Sequence, residues 1–298
     1  MKIQQSYEKQ DSQPEAGELY LVATPVGNLE DMTYRAVRIL SEVDFIACED
    51  TRRTLKLLSH FQIKNRLFSY HEHNMRNSGP ELIRRLKSGE KGALVSDAGM
   101  PAISDPGYEL VKEAIEEGIK VIPIPGANAA LTALVASGLP TDRFTFIGFL
   151  PRDQKAAEQL LTELQFRKET LIFYEAPHRL MKTLHLMAAV WHPERRIVLA
   201  REITKRYEEW ARGTLAACIA YLEEHPPVGE YCVLIEGHDK EHSEQEENRW
   251  WQLMSVEEHY QAYCSRGLDR KEALKAVAKD RGVSKRDVYA VLHGKDTQ

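Results

Sequence analysis

The sequence predicts a mostly parallel α/β protein in two parts with a small helical appendage. Two observations carry that prediction. From Glu18 onward, short apolar runs alternate with stretches of helical period. That βαβα rhythm belongs to a parallel sheet covered by helices on both faces. The second observation is size and composition. The chain has 298 residues, 43% hydrophobic and 29% charged, enough for a sizeable core and for two compact domains.

Residues 1–17 are polar, lack the apolar core of a signal peptide and read as a flexible leader. Residues 19–23 read as the first strand. Residues 33–43 read as a helix, with Ala36, Val37 and Leu40 on one face and Asp31 or Thr33 as its cap. A strand at 45–48 precedes a helix carrying Leu55 and Leu58, and a short strand near 67–69 precedes a helix around 81–86. A strand at 93–96 leads to a helix over 108–117 ended by Gly118, and then to a strand at 120–124. Pro125 and Gly126 open a small-residue helix over 127–137, which places a domain boundary between 18–124 and 125–237. The second domain continues with a strand at 144–148, a helix over 154–165, a strand at 171–174, a helix over 180–190, and strands at 197–200 and 231–236.

Residues 238–250 read as an acidic linker, with five acidic against two basic residues in 239–249. Residues 251–298 read as a helical module. Ala273, Leu274, Val277 and Ala278 have helical spacing, Gly282 makes a turn, Ser284 caps, and Val288 and Leu292 share a face. From Cys264 to the end, nine Lys and Arg oppose five Asp and Glu. The whole chain has a formal charge of -5, so any nucleic-acid contact must come from such local patches. No apolar run approaches a membrane span, and the expected address is the cytoplasm. Cys48, Cys218, Cys232 and Cys264 lie far apart, with no zinc spacing, and read as inert thiols.

The most informative segment is SDAGMPAISDPG, 96–107, between a strand and a helix. In open parallel sheets ligands bind beyond the carboxyl ends of the strands. Gly99 allows close approach of a ligand, and Asp97 offers a carboxylate to a ribose or an amino group. The alternative is a tight structural loop. TPVGNLED, 24–31, also follows a strand, and Gly27 permits a tight turn there. PGANAALTAL, 125–134, places backbone donors and little bulk at a helix start, suited to a flat ligand or to close packing. No GxGxxG, Walker-type or GxSxG motif occurs, so dinucleotide oxidoreductase, NTPase and serine hydrolase readings lose their support. CEDTRRT, 48–54, brings Glu49, Asp50, Arg52 and Arg53 to a strand end. YHEHN, 70–74, adds His71 and His73, with no third ligand to make a metal site.

Together with GFLPR, FYEAPHR and AREITK, these blocks stand in the order seen in the tetrapyrrole (corrin/porphyrin) methylases. They most resemble the branch acting on small-subunit ribosomal RNA. The resemblance covers about residues 18–237, and the module after 250 is similar to that branch's C-terminal extension. It implies the two-domain fold of that family, with S-adenosylmethionine in the cleft between the domains, and it implies a homodimer. It also implies 2'-O-methylation of a cytidine ribose in small-subunit RNA, in the assembled 30S subunit or a late precursor. Carried over to this sequence, the donor contacts are Asp97, Ala98, Gly99 and Met100, then Ala127, Asn128 and Ala129. Phe173, Tyr174 and Ala200 are further matches, with Pro25 and Gly27 in the first loop.

Deprotonating a ribose hydroxyl calls for a base within hydrogen-bond reach, and Glu49, Asp50 and His71 are the expected choices. Arg52, Arg53, Arg179, Lys205 and Arg206, with Lys271, Lys275, Lys285 and Arg286 in the module, are expected phosphate contacts. Two other functions remain open. One is methylation of a tetrapyrrole precursor, which the same fold permits. The other is a non-catalytic nucleic-acid binder that reads through the C-terminal helices.

Overall fold

The computed structural model describes residues 4–6, 16–238, 254–265 and 268–293. They fall into two compact units, Met1–Gly237 and His238–Gln298. The expected linker, apart from His238, lies outside the described residues.

The first unit contains two sheets. The first runs through β1 (Glu18–Val22), α1 (Tyr34–Glu42), β2 (Phe45–Cys48), α2 (Thr51–His60), β3 (Leu67–Ser69), α3 (Met75–Lys87), β4 (Gly92–Val95), α4 (Tyr108–Glu116) and β5 (Lys120–Ile124). Its strand order is β3-β2-β4-β1-β5, and all neighbours are parallel. One face packs on Ala36, Ile39 and Leu40 of α1 and Leu58 of α2. The other packs on Leu82, Ile83 and Leu86 of α3 and Leu110 and Ala114 of α4. β2 and β4 are therefore buried along their whole length, which is why they read as continuous apolar runs. Thr33, as expected, caps α1 by accepting from the Ala36 N–H. Helix α3 starts six residues before the predicted 81 and carries Pro80 within it, with Gly79, Leu82, Ile83 and Leu86 on its buried face.

Within the leader, read above as flexible, Gln4 is held to the sheet. Its side-chain amide accepts from the Val121 N–H and donates to the Val121 carbonyl, both at 2.9 Å, on edge strand β5. Gly17 donates to the Leu86 carbonyl at 2.7 Å.

The second sheet follows α5 (Ala129–Ser137) and comprises β6 (Phe144–Phe149), β7 (Thr170–Glu175), β8 (Arg196–Arg201), β9 (Glu209–Thr214) and β10 (Tyr231–Ile235). The helices between are α6 (Gln154–Leu164), α7 (Pro177–Val190) and α8 (Leu215–Glu224). Its order is β6-β7-β10-β8-β9, with β6 and β7 parallel and the other pairs antiparallel. One face packs on α6, α7 and α8 through Leu161, Leu184 and Leu222. The other packs on Ala130, Ala133 and Leu134 of α5. β9 and α8 were not predicted: β9 is a half-buried edge strand without clear alternation, and its hairpin with β8 defines it.

The second unit contains α9 (Val256–Ser265), α10 (Arg270–Arg281) and α11 (Lys285–His293). Val277, Ala278 and Val288 form its small core, and Asp269 and Glu272 make a capping box on α10. No described helix is long and apolar enough to cross a membrane.

Candidate active site

The loops leaving the carboxyl ends of β1, β2 and β4 face one end of the second sheet across a cavity of about 380 Å³. That volume lies in the range of small-molecule and cofactor sites.

The loop 96–107 forms one wall. Ser96 Oγ donates to the Gly99 carbonyl at 3.0 Å, and Thr24 and Gly99 exchange two backbone hydrogen bonds of 2.9 Å. These bonds tie the loop after β1 to the loop after β4. Gly99 has φ +82°, which a side chain rarely adopts. Ala102 and Ser104, though not glycines, also have positive φ, +66° and +60°. Each such residue costs on the order of 1–3 kcal/mol, so the surrounding fold must hold this path. Asp97 accepts from the Asp50 N–H at 3.2 Å and pairs with Arg53 at 3.1 Å. Ala98, Gly99 and Met100 line the cavity beside it.

The opposite wall is one row of the second sheet. Cys232 of β10 is in register with Tyr174 of β7 and Ala200 of β8, and all three line the cavity. Phe173, expected at the donor, is a correction. Successive strand residues point to opposite faces, and Phe173 is buried in the core on the α6–α8 side. Asn128 and Ala129 line the cavity, but the helix start is less open than expected. Tyr174 Oη accepts from the Ala130 N–H at 3.1 Å, and Asn128 Oδ1 accepts from the Leu131 N–H at 2.9 Å. Two first-turn donors are thus already engaged. Ala127 is outside the cavity lining, and its carbonyl oxygen would lie 3.7 Å from a β-carbon on Gly99. Burial pushes the Cys232 thiol up to about 12, so it supplies no thiolate.

Pro25 and Gly27 line a second cavity of about 250 Å³ instead, which shares Arg53 and Asp97 with the first. Gly27 has φ +142°, and a β-carbon there would lie 2.4 Å from Lys205 Cγ. Its role is to let Lys205 pass.

The carboxylates divide sharply. Asp50, an expected base, is the N-cap of α2: it accepts from the Arg52 N–H at 2.8 Å and pairs with the Arg52 guanidinium at 3.1 Å. Those contacts with Arg52 hold its carboxyl below the usual range, so it is a poor proton acceptor, and it lies outside the cavity lining. His71 is also outside the lining, close enough to Glu49 to favour that carboxylate's ionised form. Glu49 does line the cavity. Burial and then the Asp97 charge raise its carboxyl, against the opposing pull of Arg53 and His71. Asp105, not among the residues expected at the site, lines the cavity too. Burial, then Glu49 and Asp97, push its carboxyl up to about 7. Among the described residues, no group of three or more His, Cys, Asp or Glu is arranged to hold a metal ion.

Two expected phosphate contacts are structural. Arg179 donates to the Leu150 carbonyl at 2.8 Å and pairs with buried Glu175 at 3.4 Å. It thereby latches the GFLPR and YEAPHR segments together. Lys205 lies between Glu202 and Glu230, 2.9 Å from each. Both cations are consumed by neighbouring carboxylates. Arg52, Arg53 and Arg206 remain exposed, as do Lys271, Lys275, Lys285 and Arg286 of the helical unit.

Fold and cleft together define an α/β protein with a cleft of small-molecule size between a parallel and a mixed sheet. Residues 18–218 match the family described as Tetrapyrrole (Corrin/Porphyrin) Methylases. The ribosomal RNA small subunit methyltransferase I of Halalkalibacterium halodurans is 55% identical over 98% of this chain and 99% of its own. The protein of the same name from Bacillus subtilis is 51% identical, covering 93% and 94%. The chain belongs to the tetrapyrrole methylases, in the group that the small subunit methyltransferase I proteins form. In fold it is also similar to a uroporphyrin-III C-methyl transferase from Thermus thermophilus, solved in complex with S-adenyl homocysteine. The TM-score is 0.51 at 19% identity, covering 73% of this chain and 97% of that one.

Proposed function

We propose that this protein is an S-adenosylmethionine-dependent methyltransferase acting on small-subunit ribosomal RNA. Its acceptor is the 2'-hydroxyl of a cytidine ribose in the assembled 30S subunit, in the cytoplasm. The observation that carries the reading is the cleft itself. The Asp97–Gly99 turn faces the Asn128–Ala129 helix start and the Tyr174–Cys232–Ala200 row across a nucleoside-sized space. The relatives named for this RNA extend over nearly the full chain.

The residues present fit a methyl-sulfonium nucleoside. Gly99 keeps a side chain off a turn with positive φ, and Ala129, Ala200 and Cys232 leave the opposite wall low. Asp97, Gly99, Met100, Asn128, Ala129, Tyr174 and Ala200 would hold the donor. When bound, it supplies an electrophilic methyl group on a cationic sulfur. The negative wall of Glu49, Asp97 and Asp105 favours a cationic ligand. The protein's task is then to hold the two reactants in line, about 3 Å apart, and to exclude water. Arg53 sits at the junction of the two cavities, where an entering ribose-phosphate would meet it. Exposed Arg206 would contact phosphates, and the exposed lysines of the helical unit offer phosphate contacts of their own. A homodimer belongs to this reading, and the outward Leu131 and Val135 of α5, 47% and 76% exposed, offer an apolar surface for it.

The test is methylation in vitro with labelled donor, offering small ribosomal subunits and a tetrapyrrole precursor side by side, followed by mass mapping of the RNA. One ribose methyl on one cytidine is the expected product. Label in the tetrapyrrole alone, or in neither, overturns the reading.

A further inference from the structure

Among the described residues six carboxylates line the cleft, and four of them are occupied. Asp97 has Arg53 and the Asp50 N–H. Glu175 accepts from Thr183 Oγ1 at 2.6 Å and pairs with Arg179, and Glu202 and Glu230 share Lys205. Glu49 and Asp105 accept no hydrogen bond among the described residues. Between these two the surroundings differ. Arg53 and His71 favour the charged form of Glu49. The groups acting on Asp105 are carboxylates, Glu49 after β2 and Asp97 after β4, and Asp105 in turn bears on the Tyr174 hydroxyl of β7. Among the described residues no cation is paired with it.

The backbone supports the same choice. Asp105 follows two non-glycine residues with left-handed φ, Ala102 and Ser104, and precedes Gly107 at φ +149°. A β-carbon on Gly107 would lie 2.9 Å from Leu94 Cδ2 and 3.0 Å from Ala102 Cβ, so the loop is pressed onto the sheet there. Strain of this kind persists only where the surrounding structure over-determines it, and it gathers at functional sites. Here it fixes the turn that carries Asp105 at the cavity wall.

We propose that Asp105 is the general base of the methyl transfer, taking the proton of the acceptor 2'-hydroxyl. This rests on the ribose-methylation reading. In the step, the bond from ribose oxygen to methyl carbon forms as the carbon–sulfur bond of the donor breaks, and that electron pair stays on sulfur. The hydroxyl proton passes to the Asp105 carboxylate and then to solvent. An acceptor whose affinity for protons matches the working pH is the most effective in this role, and the like charges around Asp105 together with its burial provide that match.

The experiment is a pH series of single-turnover methylation of small subunits by wild-type protein, Asp105→Asn, Asp105→Glu and Glu49→Gln. Donor affinity is measured by calorimetry, and the carboxyl carbons of the free protein are titrated by NMR. The wild-type rate should rise with pH and level off above about 7. Asp105→Asn should lower the plateau by about 100- to 10,000-fold and remove the inflection, with donor affinity within about threefold of wild type. Asp105→Glu should restore part of the rate. A carboxyl signal titrating near 7 should vanish in Asp105→Asn alone. An Asp105→Asn rate within about threefold of wild type overturns the proposal, as does an inflection lost in Glu49→Gln but kept in Asp105→Asn. Wild-type protein that leaves the subunits unmethylated instead overturns the ribose reading, and this base with it.

Discussion

On the wall of the cleft formed by the second sheet, Glu175, Glu202 and Glu230 each meet Arg179 or Lys205. On the wall formed by the loops of the first sheet, Glu49 and Asp105 accept no hydrogen bond among the described residues, and the charges acting on Asp105 are those of Glu49 and Asp97. Paired carboxylates in a partly buried setting fix geometry, because separating them strands a charge. Unpaired ones store an unfavourable interaction that a cationic ligand or a proton relieves. The second wall thus acts as scaffold, and the first holds the chemistry.

The largest effect expected from this contrast is on stability. Glu175→Ala removes a 2% exposed carboxylate and leaves Thr183 and Arg179 without it. It should cost about 2–4 kcal/mol, read by denaturant unfolding. A loss under about 0.5 kcal/mol, the range of ordinary surface positions, would break the assignment of that wall as scaffold.

Next comes Asp97→Ala. It should weaken S-adenosylmethionine binding by about 10- to 100-fold, equivalent to roughly 1.4–2.8 kcal/mol, with little change in melting temperature. Unchanged affinity by calorimetry would remove Asp97 from the donor site.

The smallest effect concerns stability against pH. The Asp105 carboxyl is raised to about 7 in the folded protein, whereas an unfolded one titrates near 3.9. Between those values the folded state binds the extra proton, so this group's stabilising contribution falls as pH rises through that window and is flat above it. Asp105→Asn should therefore raise the melting temperature at pH 8, by on the order of 2–4 °C given its partial exposure, and leave it unchanged at pH 4. Equal melting curves at both pH values would show that no such penalty exists.

Much of the fold was legible in its apolar runs: 45–48, buried along its whole length, coincides with β2, and the less buried 67–69 and 120–124 coincide with β3 and β5. The Asp97–Met100 turn was legible for a similar reason, since glycine and proline mark its path locally. What failed depended on partners remote in sequence. Whether Arg179 and Lys205 serve as clamps or phosphate contacts is decided by Leu150 and Glu230, 29 and 25 residues away. Phe173 and Tyr174 cannot share a face, and the register with β10 decides which one meets the cavity. Asp105 gains its character chiefly from burial and from Glu49 on another strand end, with Asp97 of its own loop adding to them. Asp50 is different: an Asp just before a helix is a capping signal, and its commitment to α2 was readable from CEDTRRT.

The most direct test of the account is a crystal structure of the protein with S-adenosylhomocysteine. The nucleoside should lie between the Asp97–Met100 turn and the Asn128–Ala129 helix start, with its sulfur on the side of Asp105. Density for the compound against another surface, or its sulfur turned toward the Lys205 cluster, would contradict the division of labour between the two walls.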